Sequence, residues 1–231
     1  MDAVNRQVEA LFQRDSAEEK GLEKESRSAY LQSSYIDKWA GFPLYQNTQT
    51  KYYSCGEEMF PDMLEALRGA KHFIFLEYFI IEEGYMFNTI LDILEEKAKT
   101  GVDVRFIYDD VGSINSISFG YYKKLQERGI PCVTFNPFKP LISVVMNNRD
   151  HRKIFVVDGY IGFTGGINLA DEYINKVKRF GYWKDTGVRI EGEAVWSLTA
   201  MFLEMWNYIN RSTEDYSRFL PSVYREKEFT S

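Results

Sequence analysis

The spacing of apolar residues divides this chain into a lead-in, a long middle and a short tail. Val4, Val8, Leu11 and Phe12 recur at helical spacing and predict an amphipathic helix at the start. Glu18 to Glu25 is charge-rich and reads as a solvated helix or linker. This helical and charged lead-in, 1–40, is expected to pack its apolar stripe on the main domain, with membrane contact as the alternative. From about residue 50, helical and strand patterns alternate. Helices are expected over Glu57–Ala70, Met86–Thr100 and Ser118–Arg128, the last two stopped by Gly101 and Gly129. Phe73–Ile81 is almost continuously apolar, as a strand buried on both faces would be. Strands are also expected at Val102–Tyr108 and Ile130–Phe135. This βαβαβ run predicts an α/β fold with a mixed, largely parallel sheet flanked by helices.

After the proline-marked loop at Asn136–Pro140 the style changes. Lys153–Val157 and Tyr160–Thr164 flank Asp158-Gly159, a strong hairpin signal. A short helix over Leu169–Ile174, a strand over Trp183–Ile190 and a closing helix over Glu193–Ile209 complete the domain, placed at 41–212. A polar tail is expected over 213–231.

The bulk numbers narrow the class. At 231 residues and 45% hydrophobic content, one large domain is the natural expectation. Asp and Glu outnumber Lys and Arg, 34 to 28, so the net charge of −6 makes nucleic acid an unlikely partner. Aromatics at 16% suit a dense core and a surface that meets lipid or protein. Cys55 and Cys132 have no metal-ligand spacing and are expected to be reduced, buried thiols. With His72 and His151 the two histidines of the chain, a His-rich metal site is not expected, and no cofactor is implied. The longest apolar run contains Glu77 and is far shorter than a spanning helix, so the chain is expected to be soluble or peripheral to a membrane.

Candidate chemistry concentrates between Asn148 and Asn168. Strand periodicity turns His151, Lys153, Phe155 and Val157 one way, and Arg152, Ile154, Val156 and Asp158 the other. His151 can attack phosphorus when its imidazole is neutral, forming a phosphohistidine. Lys153, on the same face, would neutralise phosphate charge in the transition state. Gly165 and Gly166 allow close backbone approach to an anion, and Asn168 can donate to a phosphate oxygen or cap a helix. Asp185 is the candidate for fixing the His151 tautomer, or else an edge-strand charge paired with Lys184 or Arg189. Asp158 belongs to the same signature, with a hairpin-turn role as the alternative. Glu77 lines the site or forms half of a buried ion pair. Asp109 and Asp110 stand where open α/β sheets place ligands, or mark a strand-to-helix turn. His72 reads as structural.

The spacing His151-x-Lys153-x-x-x-x-Asp158 with Gly165-Gly166-x-Asn168 resembles the phospholipase D superfamily signature. Phe75–Phe79, Tyr108–Asp110, Phe135–Pro137, Asn147–Lys153, Gly162–Ala170 and Trp183–Thr186 extend the resemblance to bacterial cardiolipin synthases over about residues 40–212. The resemblance implies membrane-associated phosphatidyl transfer. One His attacks phosphatidylglycerol and releases glycerol, and a second phosphatidylglycerol resolves the phosphohistidine to give cardiolipin. No metal takes part. It implies His151 as nucleophile, Lys153 and Asn168 as phosphate ligands and Asp185 as the orienting acid. The family builds its site from two such motifs, whereas this chain has one. It therefore reads as the first catalytic half, needing a second motif-bearing half or a homodimer partner. A homodimeric phospholipase D-type phosphodiesterase and a non-catalytic lipid-binding half are the alternatives.

Overall fold

A computed structural model describes residues 11, 12, 14, 16–137, 148–179 and 181–220. Most of the expected N-terminal helix, the loop beyond Pro137 and the end of the tail lie outside the described residues. Leu11 and Phe12 are within them and pack on the domain, with the Phe12 ring edge-on to Phe42 at 5.6 Å.

The helices are α1 (Ser16–Glu25), α2 (Arg27–Ala40), α3 (Gly56–Gly69), α4 (Tyr85–Lys99), α5 (Tyr121–Glu127) and α6 (Val195–Asn210). The strands are β1 (Thr48–Tyr53), β2 (Phe73–Tyr78), β3 (Asp103–Asp109), β4 (Cys132–Phe135), β5 (Ile154–Val157), β6 (Ile161–Gly165) and β7 (Gly187–Gly192). They form one sheet in the order β1-β7-β6-β5-β2-β3-β4. The expected βαβαβ run is the parallel part, β2-β3-β4, and the Asp158-Gly159 hairpin joins antiparallel β5 and β6. The sheet is therefore mixed, with parallel and antiparallel halves meeting at β2 and β5.

The sheet separates two cores. Ile74, Leu76, Tyr78, Phe155 and Val157 face α3, α4 and α5, while Phe73, Phe75, Ile154 and Val156 face α6. This is the period-two alternation expected of strands, and β2 is buried along its whole length. The 3₁₀ turn Asp171–Ile174 replaces the short helix expected over 169–174. Its Asp171 carboxylate accepts from the Tyr85 and Met86 N–H groups at 2.9 and 2.7 Å, so it caps α4 from a distance.

Four expectations change. β1 was not anticipated, because Thr-Gln-Thr-Lys-Tyr-Tyr is a polar edge strand with Tyr53 alone buried. The strand expected over 183–190 starts at Gly187, because the Asn175 side chain bonds both the N–H and the carbonyl of Trp183 and holds it out of the ladder. The tail is not polar throughout. Tyr216 and Phe219 are buried beside α6, secured by Asn207 to the Tyr216 hydroxyl at 2.8 Å and by Arg105, which bridges Asp103 and Glu214 over the Phe219 ring. Cys132 is buried as expected, whereas Cys55 is half-exposed.

Two polar devices fix the strands around β5. Asp158, at φ 51°, turns its carboxylate onto the backbone N–H groups of Lys71, His72 and Phe73, each at 2.8 Å. This ties the hairpin to the start of β2. Glu77, Asp150 and Arg152 form the second device on the α6 face. Arg152 donates to Asp150 through Nε at 2.9 Å and places Nη2 2.8 Å from Glu77 Oε1. Neither Glu77 oxygen has a well-directed hydrogen bond among the described residues. Burial raises the Glu77 carboxyl well above its ordinary range, and the neighbouring Asp150 raises it further against the pull of Arg152. Burial also works against the Asp150 anion, but contacts with Glu77 and Arg152 outweigh it and hold that carboxyl low. Burial thus favours a neutral Glu77 beside the Asp150–Arg152 ion pair, an arrangement that keeps the buried net charge small.

Asp158→Ala removes an acceptor for three N–H groups and should cost about 2 kcal/mol in urea unfolding, with Asp158→Asn milder. Glu77→Gln should unfold within about 1 kcal/mol of the parent, because burial already favours the neutral form of the native side chain. Arg152→Met should cost about 3 to 5 kcal/mol, since it strands the Asp150 charge. Equal losses for Glu77→Gln and Arg152→Met would contradict this assignment of charges.

Candidate active site

The register brings the ends of β2 and β3 beside the start of β5, with Glu77 opposite both Ile107 and Ile154. This is the carboxyl edge of the parallel strands, where open α/β sheets receive ligands. Residues 148–153 approach β5 across that edge. Asp109, fully buried at the end of β3, holds them there. Its Oδ2 accepts from the Asp150 N–H at 3.1 Å, and its Oδ1 accepts from Arg149 at 3.2 Å and from the Gly112 N–H at 2.8 Å. Asn136 adds a bond to the Asn148 carbonyl at 3.1 Å. Asp109 thus acts as the anchor of the segment. Asp110 is half-buried, and its N–H continues the β3–β4 ladder to the Phe135 carbonyl at 3.3 Å.

Anchored this way, the segment points Arg152 down into the α6-side cluster and His151 and Lys153 the other way, as expected. His151 is exposed, with its ring 4.6 Å from that of Phe79. Lys153 is 4% exposed, and its Nζ lies 3.2 Å from His151 Nδ1 and 3.3 Å from Nε2. The same Nζ donates to the His151 carbonyl at 2.8 Å. Burial pushes the Lys153 ammonium down to about 8, and the charges of Asp185 and Asp150 oppose that shift. An exposed imidazole and a cation beneath it therefore converge on one point.

The phosphate-loop candidates behave differently. Asn168 is buried, and its Oδ1 accepts from the Ile80 N–H at 3.0 Å while its Nδ2 donates to the Tyr173 hydroxyl at 2.8 Å. It braces the turn after β2 that carries Phe79, and it does not cap the 3₁₀ turn, whose cap position is Ala170. Gly165, at φ 144°, and Gly166 pass close over residues 185–187. A Cβ on Gly165 would lie 2.4 Å from the Thr186 carbonyl, and one on Gly166 2.0 Å from Asp185 Oδ1. Asp185 accepts from the Thr186 N–H at 2.8 Å. Among the described residues it makes no hydrogen bond to His151. Its own strand-entry turn engages it, and its charge acts on Lys153 instead.

Asp158 is the candidate that the fold separates from the rest. It follows the end of β5 while His151 precedes its start, and seven residues of extended chain at about 3.3 Å each place it roughly 20 Å away. Its three backbone bonds explain its presence without contact with the chemistry. Residues that sequence reasoning missed include Phe79 and Ser113. Phe79 looks like core in an apolar run. Ser113 bonds Phe79 and Ile81 backbone groups at 3.2 and 3.1 Å, but resembles any loop serine. The pairing of Asp150 with Arg152 carried a legible signal, two opposite charges on one face of a strand.

A family model described as "Cardiolipin synthase, PLD-like domain" matches residues 63–206. A cardiolipin synthase of Alkalihalophilus pseudofirmus is 45% identical over 167 residues, covering 72% of this chain and 33% of that protein. Cardiolipin synthase 2 of Staphylococcus epidermidis is 39% identical over 225 residues, covering 95% of this chain and 45% of that one. The chain thus spans less than half the length of these relatives. Among solved structures, NucT from Helicobacter pylori matches with a TM-score of 0.53 at 12% identity, covering 69% of this chain and 96% of that one, a likeness of fold. No helix among the described residues is long and apolar enough to cross a membrane. From the family match and the shared fold, this chain belongs to the cardiolipin synthase family of phospholipase D-like proteins.

Proposed function

We propose that this chain carries one motif of a phosphatidyltransferase that makes cardiolipin from phosphatidylglycerol. A His151 ring nitrogen attacks the phosphorus of one phosphatidylglycerol. The N–P bond forms as the bond to the head-group glycerol oxygen breaks, and glycerol leaves with a proton from a general acid. The head-group hydroxyl of a second phosphatidylglycerol then attacks phosphorus, gives its proton to the conjugate base of that acid, and breaks the N–P bond. Splitting the displacement in this way gives two easier steps. The chain's other histidine, His72, precedes β2, at the far end of the sheet from His151. We assign the acid to a second motif, supplied by another copy or another polypeptide half.

The observation that carries this reading is the Lys153 ammonium, 3.2 to 3.3 Å from both ring nitrogens of an exposed His151. A phosphate oxygen arriving with the phosphorus at either nitrogen meets that cation. Burial strengthens the interaction by lowering the local dielectric. Asn168 has one amide hydrogen used by Tyr173, and an asparagine has two, so the second is its means of meeting a phosphate oxygen. The Asp185 charge helps to keep Lys153 protonated. Asp158 serves by fixing the strand.

Product analysis with phosphatidylglycerol in mixed micelles tests the reading. Cardiolipin or phosphatidic acid should form with the parent and not with His151→Ala, and equal product from both would overturn it. The rate should also fall as pH rises through about 8, where Lys153 loses its proton. The stability effect has the opposite sign. The folded-state value lies below the unfolded value of 10.5, so the charged lysine costs stability below about pH 8 and that cost disappears as pH rises toward 10.5. Lys153→Met should therefore lose activity yet be about 1 to 3 kcal/mol more stable at pH 7 in urea unfolding. A variant that is both inactive and less stable would mark Lys153 as a structural residue.

A further inference from the structure

We propose that the rim around His151 is a docking surface for an anionic bilayer, with Lys176, Lys178 and Lys184 as its charged part. This rests on the reading that the substrate is a membrane phospholipid. The strand register puts the loops after β2, β3 and β6 and the start of β5 at one end of the sheet. The loop that enters β7 belongs to this set, since Gly187 pairs with Gly165.

Between residues 175 and 184 the chain has four basic residues and no acidic one, in a protein of net charge −6. Arg179 is engaged by Glu82 at 2.8 Å and Glu172 at 3.5 Å. Lys176, Lys178 and Lys184 are exposed and have no acidic partner among the described residues, and the Lys176 ammonium lies 3.9 Å over the Tyr85 ring. The same loop exposes Val177 at 46% and Tyr182 at 65%, and the loop after β3, at the same end of the sheet, exposes Ile114 at 44% and Phe119 at 89%. Lysines next to exposed aromatic and aliphatic side chains match the head-group level of a bilayer, which takes charge and apolar surface together. A nucleic acid would satisfy the lysines but would leave Val177 and Ile114 in water. Docked this way, the chain meets a phosphodiester at head-group depth and leaves the acyl chains in the bilayer. A second exposed apolar stripe, Leu31, Tyr35 and Trp39 on α2, leads into β1. The first residue of β1, Thr48, pairs with Gly192 at the opposite end of β7, so this stripe serves as the control surface.

Vesicle sedimentation tests the surface. All variants are made in a His151→Ala background so that turnover does not alter the lipid. The probes are phosphatidylcholine vesicles with and without phosphatidylglycerol. Lys176→Gln/Lys178→Gln should weaken binding to phosphatidylglycerol vesicles by tenfold or more, at about fivefold for each lysine near an anionic leaflet. Phe119→Ser/Val177→Ser should weaken it as well, and Tyr35→Ser/Trp39→Ser should bind like the parent. Unchanged binding in the rim variants would overturn the proposal, as would loss confined to the α2 variant or displacement of the chain from vesicles by stoichiometric single-stranded DNA. Turnover of short-chain phosphatidylglycerol dispersed as monomers, with His151 restored, reports the chemistry separately. Rim variants that keep that turnover but lose vesicle binding support the surface. A parent that binds vesicles through the rim without turnover would sink the catalytic reading and leave the surface standing.

Discussion

Arg152 is the residue on which the arrangement of the active edge depends. It is inserted between the two residues proposed to do the chemistry, and it faces away from both. Its guanidinium is held by Asp150 and lies against Glu77 beneath the sheet. Because strand side chains alternate, fixing Arg152 on the α6 face fixes His151 and Lys153 on the other. A slip of one residue in this segment would bury His151 and expose the charge cluster. Asp109 guards against that slip by binding the Asp150 N–H and the Arg149 side chain at the end of β3.

The two residues on the opposite face then diverge in environment. His151 stays at the surface against the Phe79 ring, while Lys153 is covered and loses much of its preference for the proton. The same burial that makes Lys153 costly to the fold makes its charge effective toward an anion. Stability and proposed function therefore pull in opposite directions at one side chain, as is common where a fold carries a reactive site. Around this pair the remaining polar residues act mainly as braces. Asn168 and Ser113 hold the turn that carries Phe79, and Asp158 holds the far end of β5 against β2.

Much of this was legible in the chain. The apolar run of β2, the glycine stops after α4 and α5, and the Asp-Gly hairpin are local signals, and the structure follows them. The facing of His151, Lys153 and Arg152 followed from period two alone. What escaped depends on distant partners. β1 is a polar edge that becomes a strand because β7 is there to pair with it. Tyr216 and Phe219 looked like tail, but Asn207 binds the Tyr216 hydroxyl and Arg105, more than a hundred residues earlier, stacks over the Phe219 ring. Asp158 is the hairpin-turn residue that its sequence offered, and what escaped is that its three N–H partners come from residues 71–73. Among the described residues Asp185 accepts from the Thr186 N–H and makes no bond to His151, a choice of partner that the spacing alone did not show.

The central claim is that His151 becomes covalently bound to phosphorus, and the intermediate itself is the most direct evidence. The chain would be mixed with short-chain phosphatidylglycerol, quenched in alkali, where a phosphohistidine survives, and digested for peptide mass spectrometry. The account expects a phosphatidyl adduct on the peptide that contains His151, absent when the sample is acidified before analysis. An acid-stable adduct, or one on a different residue, would contradict it.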